Sequence, residues 1–277
     1  MPYFLQHLLP WVDEIVVVDD GSTDGTPDLA RAAGPQVRVI CAPRQPGEFY
    51  SDQRNKGIAA ATSDWLLHMD ADERVTPELA AEILVAIRNP ALDGYRFRRL
   101  NHFLQRPIYG SGWHAWNLVH LARREQFRFG GQIHETCLLD APPERIGQLT
   151  GLMWHLNERT FLDRIKKNLY YSQVAAADLF ASGHRVTWFD LLVRPFLNFL
   201  KGYVIRRGFR DGIPGLIINL HNLCATFRVY AMVWDRQHPI ARETLEAQLT
   251  QRWADHAAGT TDEPSPNEQA NYAEQSS

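Results

Sequence analysis

The chain has 277 residues, 45% of them hydrophobic and 22% charged, with 29 basic against 32 acidic side chains and a formal net charge of −3. That length allows one sizeable core with extra elements, and the slight acidic excess argues against a general basic field for capturing nucleic acid. The three cysteines, Cys41, Cys137 and Cys224, have no metal or redox spacing, a pattern that suits buried free thiols in a reducing cytosol.

In chain order, "MPYFLQHLLPWVDE" has an apolar centre but neither a basic n-region nor a small-residue cleavage site, so it does not read as a signal peptide. The β-branched run in "EIVVVDD" predicts a strand of the kind buried in a parallel sheet, ending on Asp19 and Asp20. Turn residues follow in "GSTDGT", and Thr26 with Pro27 predicts a helix start capped by Thr26. Strand, loop and helix in this order put Asp19 and Asp20 at the carboxyl end of a strand, where open α/β sheets bind their ligands. Carboxylates repel phosphate, so these two suit the sugar or base of a nucleotide, or a cation. The plain alternative is that they only turn and cap the chain.

"QVRVICAP" predicts a second strand, and "SDQRNKGIAAATS" a helix with Ser51 as candidate cap and Gly57 as a weak point. "DWLLHMDADERV" predicts a strand running into acids, and "TPELAAEILVAIRN" a helix opened by Thr76 and Pro77. This alternation implies an α/β fold with a parallel or mixed sheet. In an extended segment residues two apart share a side. Asp70 and Asp72 would then aim two carboxylates at one point, which is how Mg²⁺ or Mn²⁺ is gripped beside substrate phosphates. Surface loops also produce a lone D-x-D often; its place after an earlier acidic strand end gives it weight.

From Tyr95 the chain turns to arginine- and aromatic-rich strands and loops, through "GQIHETC" to "GLMWHL". A helix is predicted from about Thr160 to Ser182, stopped by Gly183. "FDLLVRPFLNFLKGYVIRRGFR" places Leu192, Phe196, Phe199 and Tyr203 on one helical face, with Arg194 and Lys201 nearly opposite and Arg206, Arg207 and Arg210 following. Such a basic amphipathic helix suits the interface of an anionic membrane. "GLIINLHNLCATFRVYAMVW" has an apolar face of Leu216, Leu220, Leu223, Phe227, Tyr230 and Trp234, and a partly polar one of His221, Asn222 and Arg228. It approaches spanning length, but Arg228 and His221 in mid-segment argue for a surface or re-entrant placement. Plain packing of both helices on the rest of the protein is the alternative. The chain therefore divides into an α/β domain over 1–155, a helical, membrane-associating region over 156–254, and a tail over 255–277 whose composition predicts disorder.

"EIVVVDDGSTDGT", "QRNKGIAAATSDWLLHMDADE" and "GQIHETC", in this order, resemble the inverting glycosyltransferases of family 2. The bacterial lipopolysaccharide-core β-glucosyltransferases are the most similar group. The resemblance runs over roughly residues 11–235, including "RPFLNFLKGYVIRRGFRDGIPGLIINL". It implies a GT-A (Rossmann-like) nucleotide-sugar-binding sheet with C-terminal amphipathic helices. It also implies that Asp19 hydrogen-bonds a uracil ring with Asp20 beside it, and that Arg54 and Asp70 lie at the nucleotide. Asp70 and Asp72 become the metal pair, with Asp72 the direct ligand, and Glu135 the catalytic carboxylate. His134 would orient Glu135, bind metal or only pack. His155 is either a further metal ligand or a satisfied structural histidine. Trp113, His114 and Trp116 are candidates for stacking on an acceptor sugar.

The residue types suit that chemistry. Transfer with inversion needs a positioned base for the acceptor hydroxyl, and a bound cation stabilises the charge that gathers on departing UDP. The resemblance thus implies a divalent metal (Mg or Mn), a nucleotide-sugar donor that is UDP-linked, perhaps carrying glucose, and a membrane-bound glycolipid such as lipopolysaccharide core as acceptor. Nucleic acid has no place in it. The implied location is peripheral, on the cytoplasmic face of the bacterial inner membrane. Two alternatives stay open: a nucleotidyltransferase, although no Gly-rich basic loop is visible near the N-terminus, and a catalytically dead, membrane-associated nucleotide-sugar-binding fragment.

One departure bears on the sheet. Relatives begin with a strand ending near an Asn-Glu pair and a following helix, whereas Met1 here falls inside that helix. The expectation is a sheet lacking its first, central strand, through a start codon placed too far downstream or, less favoured, an inactive fragment. Unpaired backbone on both sides of such a gap costs more than the roughly 5–15 kcal/mol by which domains are stable.

Overall fold

The computed structural model describes residues 1–131 and 136–258. Helix α1 (Pro2–Leu8) buries Phe4, Leu5 and Leu8. Strand β1 (Ile15–Asp19) pairs in parallel with β2 (Val37–Cys41), from Ile15 opposite Val37 to Asp19 opposite Cys41, and α2 (Thr26–Arg31) makes the crossover. The α2 cap falls one residue earlier than the sequence suggests. Gly25 takes it in a left-handed conformation (φ 73°), while the Asp24 carboxylate accepts from the Thr26 N–H at 3.1 Å. This local side-chain turn competes with a threonine cap.

Helix α3 (Tyr50–Ala60) starts where Asp52 accepts the Phe49 N–H at 2.7 Å. Ser51, the candidate cap, is instead buried and donates to the Gly131 carbonyl at 3.0 Å. Gly57 is explained by packing: a Cβ there would come within 3.0 Å of Val18 Cγ2, so the glycine lets α3 lie close on β1. After β3 (Trp65–Leu67) and β4 (Glu73–Val75), α4 (Pro77–Ala86) begins as expected, with Thr76 Oγ1 accepting from the Leu79 N–H at 3.3 Å.

Strands β5 (Gly94–Phe103), β6 (Arg106–Pro107), β7 (Asn117–Arg123), β8 (Phe127–Gly130), β9 (Thr136–Leu139) and β10 (Ile146–His155) follow. The larger sheet is mixed, in the order β3-β7-β5-β10-β4, with β6 on β5 and with β8–β9 as a separate hairpin. Because β3 and β5 are both antiparallel to β7, and β10 is parallel to β5, the carboxyl ends of β3, β5 and β10 share one edge. Phe97, Leu121 and Met153 of this sheet, with Leu5 of α1 and Leu79 of α4, form the main core.

The β1–β2 pair is not hydrogen-bonded to the larger sheet. Between them lies a cavity of about 830 Å³, with Ile15–Val18 of β1 and Trp65–Leu67 of β3 among its lining and Phe4 and Leu8 of α1 closing it. Among the described residues β1 pairs only with β2, and β3 only with β7. The gap thus lies between the β1 and β3 edges, and Gln53, Arg54, His68 and Asp70 are also part of its lining.

Helix α5 (Phe161–Ala181) matches its predicted bounds: Thr160 and Asp163 cap it reciprocally, and Gly183 ends it with φ 76°. The predicted amphipathic helix is less regular. Wide π turns at Phe189–Val193 and Lys201–Ile205 flank α6 (Arg194–Leu200), and Pro195, which has no N–H to donate, lies just past the first. Helix α7 (Gly212–Gln237) packs Ile218 on Phe103 and Ile108 of the sheet region. Gly202 admits it: a Cβ there would lie 1.9 Å from Asn219 Oδ1. Helix α8 (Arg242–Ala257) takes residues 255–257 out of the predicted disordered tail; residues 259–277 lie outside the described residues.

Candidate active site

The first acidic strand end is tightly organised. Asp19 is buried, and its Oδ2 accepts from the Gly21 and Ser22 N–H groups, both at 3.1 Å, so one oxygen shapes the loop. The Ser22 side chain first, and then these backbone N–H groups, work against desolvation and keep its carboxyl below the ordinary range. Asp20 accepts from the Arg44 backbone at 2.7 Å and from Arg44 Nε at 2.6 Å, which depresses its pKa in the same direction.

The second acidic end differs from the extended segment the sequence suggests. Residues 71–72 form a turn, and the two carboxylates take different partners rather than one shared point. Asp70 meets Arg54 at 3.0 Å and His68 at 3.6 Å. Asp72 Oδ2 lies 3.2 Å from His155 Nε2. Glu73 enforces the turn: only 1% exposed, it accepts from the Asp70 N–H at 2.8 Å and is ion-paired with Arg99 at 3.0 Å. Burial and the Asp70 charge push the Glu73 pKa up. At Asp70 burial works the same way, but His68 and Arg54 outweigh it and hold the carboxyl well below the usual carboxylate range.

Helix α3 joins the two ends. Gln53 Nε2 donates to Asp20 Oδ1 at 3.1 Å, while the next residue, Arg54, reaches Asp70. Asn55 of the same helix holds β8, and Ser51 holds Gly131 just after it. Asn55 donates to the Phe129 carbonyl and accepts its N–H, both at 2.9 Å, and the Phe129 ring lies against His68 at 4.6 Å and the Arg54 guanidinium at 5.1 Å. His134 and Glu135 lie outside the described residues; the paired Gly130 and Thr136 bracket their segment. Of the aromatic candidates only Trp116 is exposed, beneath the Arg99 guanidinium at 4.8 Å. Trp113 is packed against Phe103, and His114 buries its Nδ1.

Asp72, His155 and Asp70 are the side chains suited to a divalent cation. Two carboxylates with an imidazole fit Mn²⁺ chemistry better than an all-oxygen Mg²⁺ site. Among the described residues no three such side chains converge into a ready-made cluster. The fit therefore rests on the Asp72–His155 pair, with Asp70 beside it. Sequence reasoning missed His68, Asn55 and Asn101, and read Glu73 only as one more acid after the strand. Glu73 and Asn55 adjoin recognised motif residues, but polar neighbours give no signal until a distant partner is known.

Residues 4–139 match a family model described as glycosyl transferase family 2. The lipopolysaccharide core biosynthesis glycosyltransferase LpsC of Rhizobium meliloti is 28% identical over 251 residues, covering 86% of this chain and 88% of that protein. An uncharacterised glycosyltransferase of Rickettsia prowazekii, RP128, is 26% identical over 233 residues, covering 80% and 78%.

Replacing Asp72 by asparagine is expected to weaken Mn²⁺ binding, followed by the free-ion paramagnetic signal, by at least about tenfold while leaving the circular dichroism spectrum unchanged. Wild-type Mn²⁺ affinity in this variant would remove Asp72 from the site.

Proposed function

Residues 4–139 match the glycosyl transferase family 2 model, and from that premise we propose that the chain transfers a sugar, with inversion, from a UDP-linked donor to a membrane-bound glycolipid of the lipopolysaccharide core type. The observation that carries the reading is the bridge made by Gln53 and Arg54, which joins Asp20 at the end of β1 to Asp70 beyond β3. Asp19 and Asp20 supply hydrogen-bond acceptors for a base and ribose; Arg54 supplies positive charge beside them. Asp72, His155 and Asp70 would hold a divalent cation, which when bound supplies positive charge against the leaving diphosphate. The acceptor comes from the likeness to LpsC.

In this reading Glu135 takes the proton of the acceptor hydroxyl as that oxygen bonds to the anomeric carbon. The anomeric C–O bond to the diphosphate breaks, and its electron pair leaves with UDP. The support for Glu135 is the family resemblance, together with the hold that Ser51 and Asn55, neighbours of Arg54, exert on the residues before its segment.

A peripheral location on the cytoplasmic face of the inner membrane belongs to the same proposal. Helix α7 buries Ile218 and Val233, but it also buries polar Asn219 and His221 and leaves large apolar side chains exposed. His221 is buried, and Arg228 reaches Asn168 and Ser172 of α5, while Leu216, Leu220, Phe227 and Trp234 are exposed. The segment Gly208–Gln237, at mean hydropathy 1.3, is long and apolar enough to cross a membrane by length and composition. Around α6 exposed apolar residues include Leu192, Phe196, Leu197, Val204, Ile205 and Phe209, whereas Phe199 and Tyr203 are drawn back and stack on each other at 5.3 Å. Lys201, Arg206, Arg207 and Arg210 are exposed nearby in the chain.

For Glu135→Gln, the expected result is retained UDP-sugar affinity with kcat lowered by about 10²–10⁴; lost affinity with unchanged kcat would move Glu135 to the donor site. For location, the protein should sediment with phosphatidylglycerol vesicles at low salt and be released only in part by high salt. Each cation contributes on the order of 1 kcal/mol near an anionic surface, and salt screens that part alone. Lys201→Glu with Arg210→Glu should weaken sedimentation, and a protein that never sediments would refute membrane attachment.

A further inference from the structure

His155 reaches Asp72 through one ring nitrogen and Asn101 through the other. Its Nδ1 lies 2.8 Å from Asn101 Oδ1, and the two residues stand opposite each other in the β5–β10 pairing. The Asn101 amide nitrogen donates to the Trp113 backbone carbonyl at 2.7 Å. Asn101 is 4% exposed, so the amide has little access to water as a substitute partner.

This chain of contacts leaves few ways to place the hydrogens. The Trp113 carbonyl only accepts, so Asn101 must turn its NH₂ toward it; the flipped amide would set two acceptors face to face. The Asn101 oxygen is then fixed toward His155, and it too only accepts, so His155 Nδ1 must carry a proton. In the neutral ring that leaves Nε2 without one, its lone pair facing Asp72 Oδ2 at 3.2 Å. Two lone pairs at that separation repel each other unless a proton or a metal cation lies between them.

We propose that Asn101 is a positioning residue, held by the Trp113 carbonyl, that locks His155 in the Nδ1–H tautomer and so presents Nε2 with Asp72 as a ligand pair for a divalent cation. The proposal rests on the metal reading above for its purpose, but the tautomer itself is independent of it. Hydrogen-bonded partners of this kind orient ligating histidines, and their loss typically lowers metal affinity by about 10–100-fold. The relay also ties the ligand to the segment that ends in exposed Trp116, because the fixed carbonyl belongs to Trp113.

The test is a long-range ¹H–¹⁵N correlation spectrum of the full chain labelled at histidine nitrogens, recorded at pH 8 without metal and paired with Mn²⁺ titration. The wild-type His155 ring is expected to be protonated at Nδ1 alone. Asn101→Leu removes the acceptor; the proton should move to Nε2, where Asp72 can accept it, and Mn²⁺ affinity should fall by about 10–100-fold. Asn101→Asp keeps an acceptor beside Nδ1 and should keep the tautomer, which separates the lock from a general loss of packing. A wild-type ring protonated at Nε2, or at both nitrogens, would overturn the proposal even if neither variant folds. A wild-type Nδ1–H ring with no Mn²⁺ binding would uphold the lock and overturn the metal reading instead.

Discussion

The polar row on α3 is the constraint on which the site depends. Ser51, Gln53, Arg54 and Asn55 are consecutive or nearly so, and each holds a different piece of the fold: the Gly131 carbonyl, Asp20, Asp70 and the Phe129 backbone. A helix that buries polar side chains must satisfy them, because an unpaired buried donor costs about 1–3 kcal/mol. Of these buried side chains Gln53 leaves its Oε1 without a hydrogen-bond partner; the contacts that are made fix the distance between two acidic ends that would otherwise repel. Because Gly57 lets this helix lie close on β1, its register against that strand is set by packing and its register against the larger sheet by hydrogen bonds and charge.

Acids and cations around that row are matched one to one. Asp20 has Arg44, Asp70 has Arg54 and Glu73 has Arg99, while Asp72 meets the His155 ring instead. Such pairing keeps the carboxylates charged despite partial burial, which is what binding a cation and a nucleotide requires. Glu73 is the exception in direction: its burial raises its pKa, and its work is to close the turn that parts Asp70 from Asp72.

Local chemistry was legible in the sequence and long-range partnership was not. Thr76 with Pro77, and Thr160 with Gly183, mark their helices because caps and left-handed stops act over three or four residues, although Thr26 and Ser51 do not cap theirs. Acidic strand ends were visible for the same reason. The turn at residues 71–72 was not, since it depends on Arg99, and neither was Asn101, whose meaning comes from Trp113 and His155 in other elements. Periodicity found both faces of α7 but not which one faces inward; Asn168 and Ser172 of α5 decide that by receiving Arg228. Around α6 an ideal helical wheel misplaced Phe199 and Tyr203, because the flanking π turns rotate the faces.

The central claim is that the α3-linked acidic ends form one nucleotide-sugar site that works with a divalent cation. Calorimetric titration of UDP into the protein, with Mn²⁺ and then with EDTA, tests it most directly. The account predicts saturable binding of one UDP per chain in Mn²⁺, weakened by at least about tenfold, or 1.4 kcal/mol, in EDTA. Equal affinity in both conditions, or no binding in either, would contradict it.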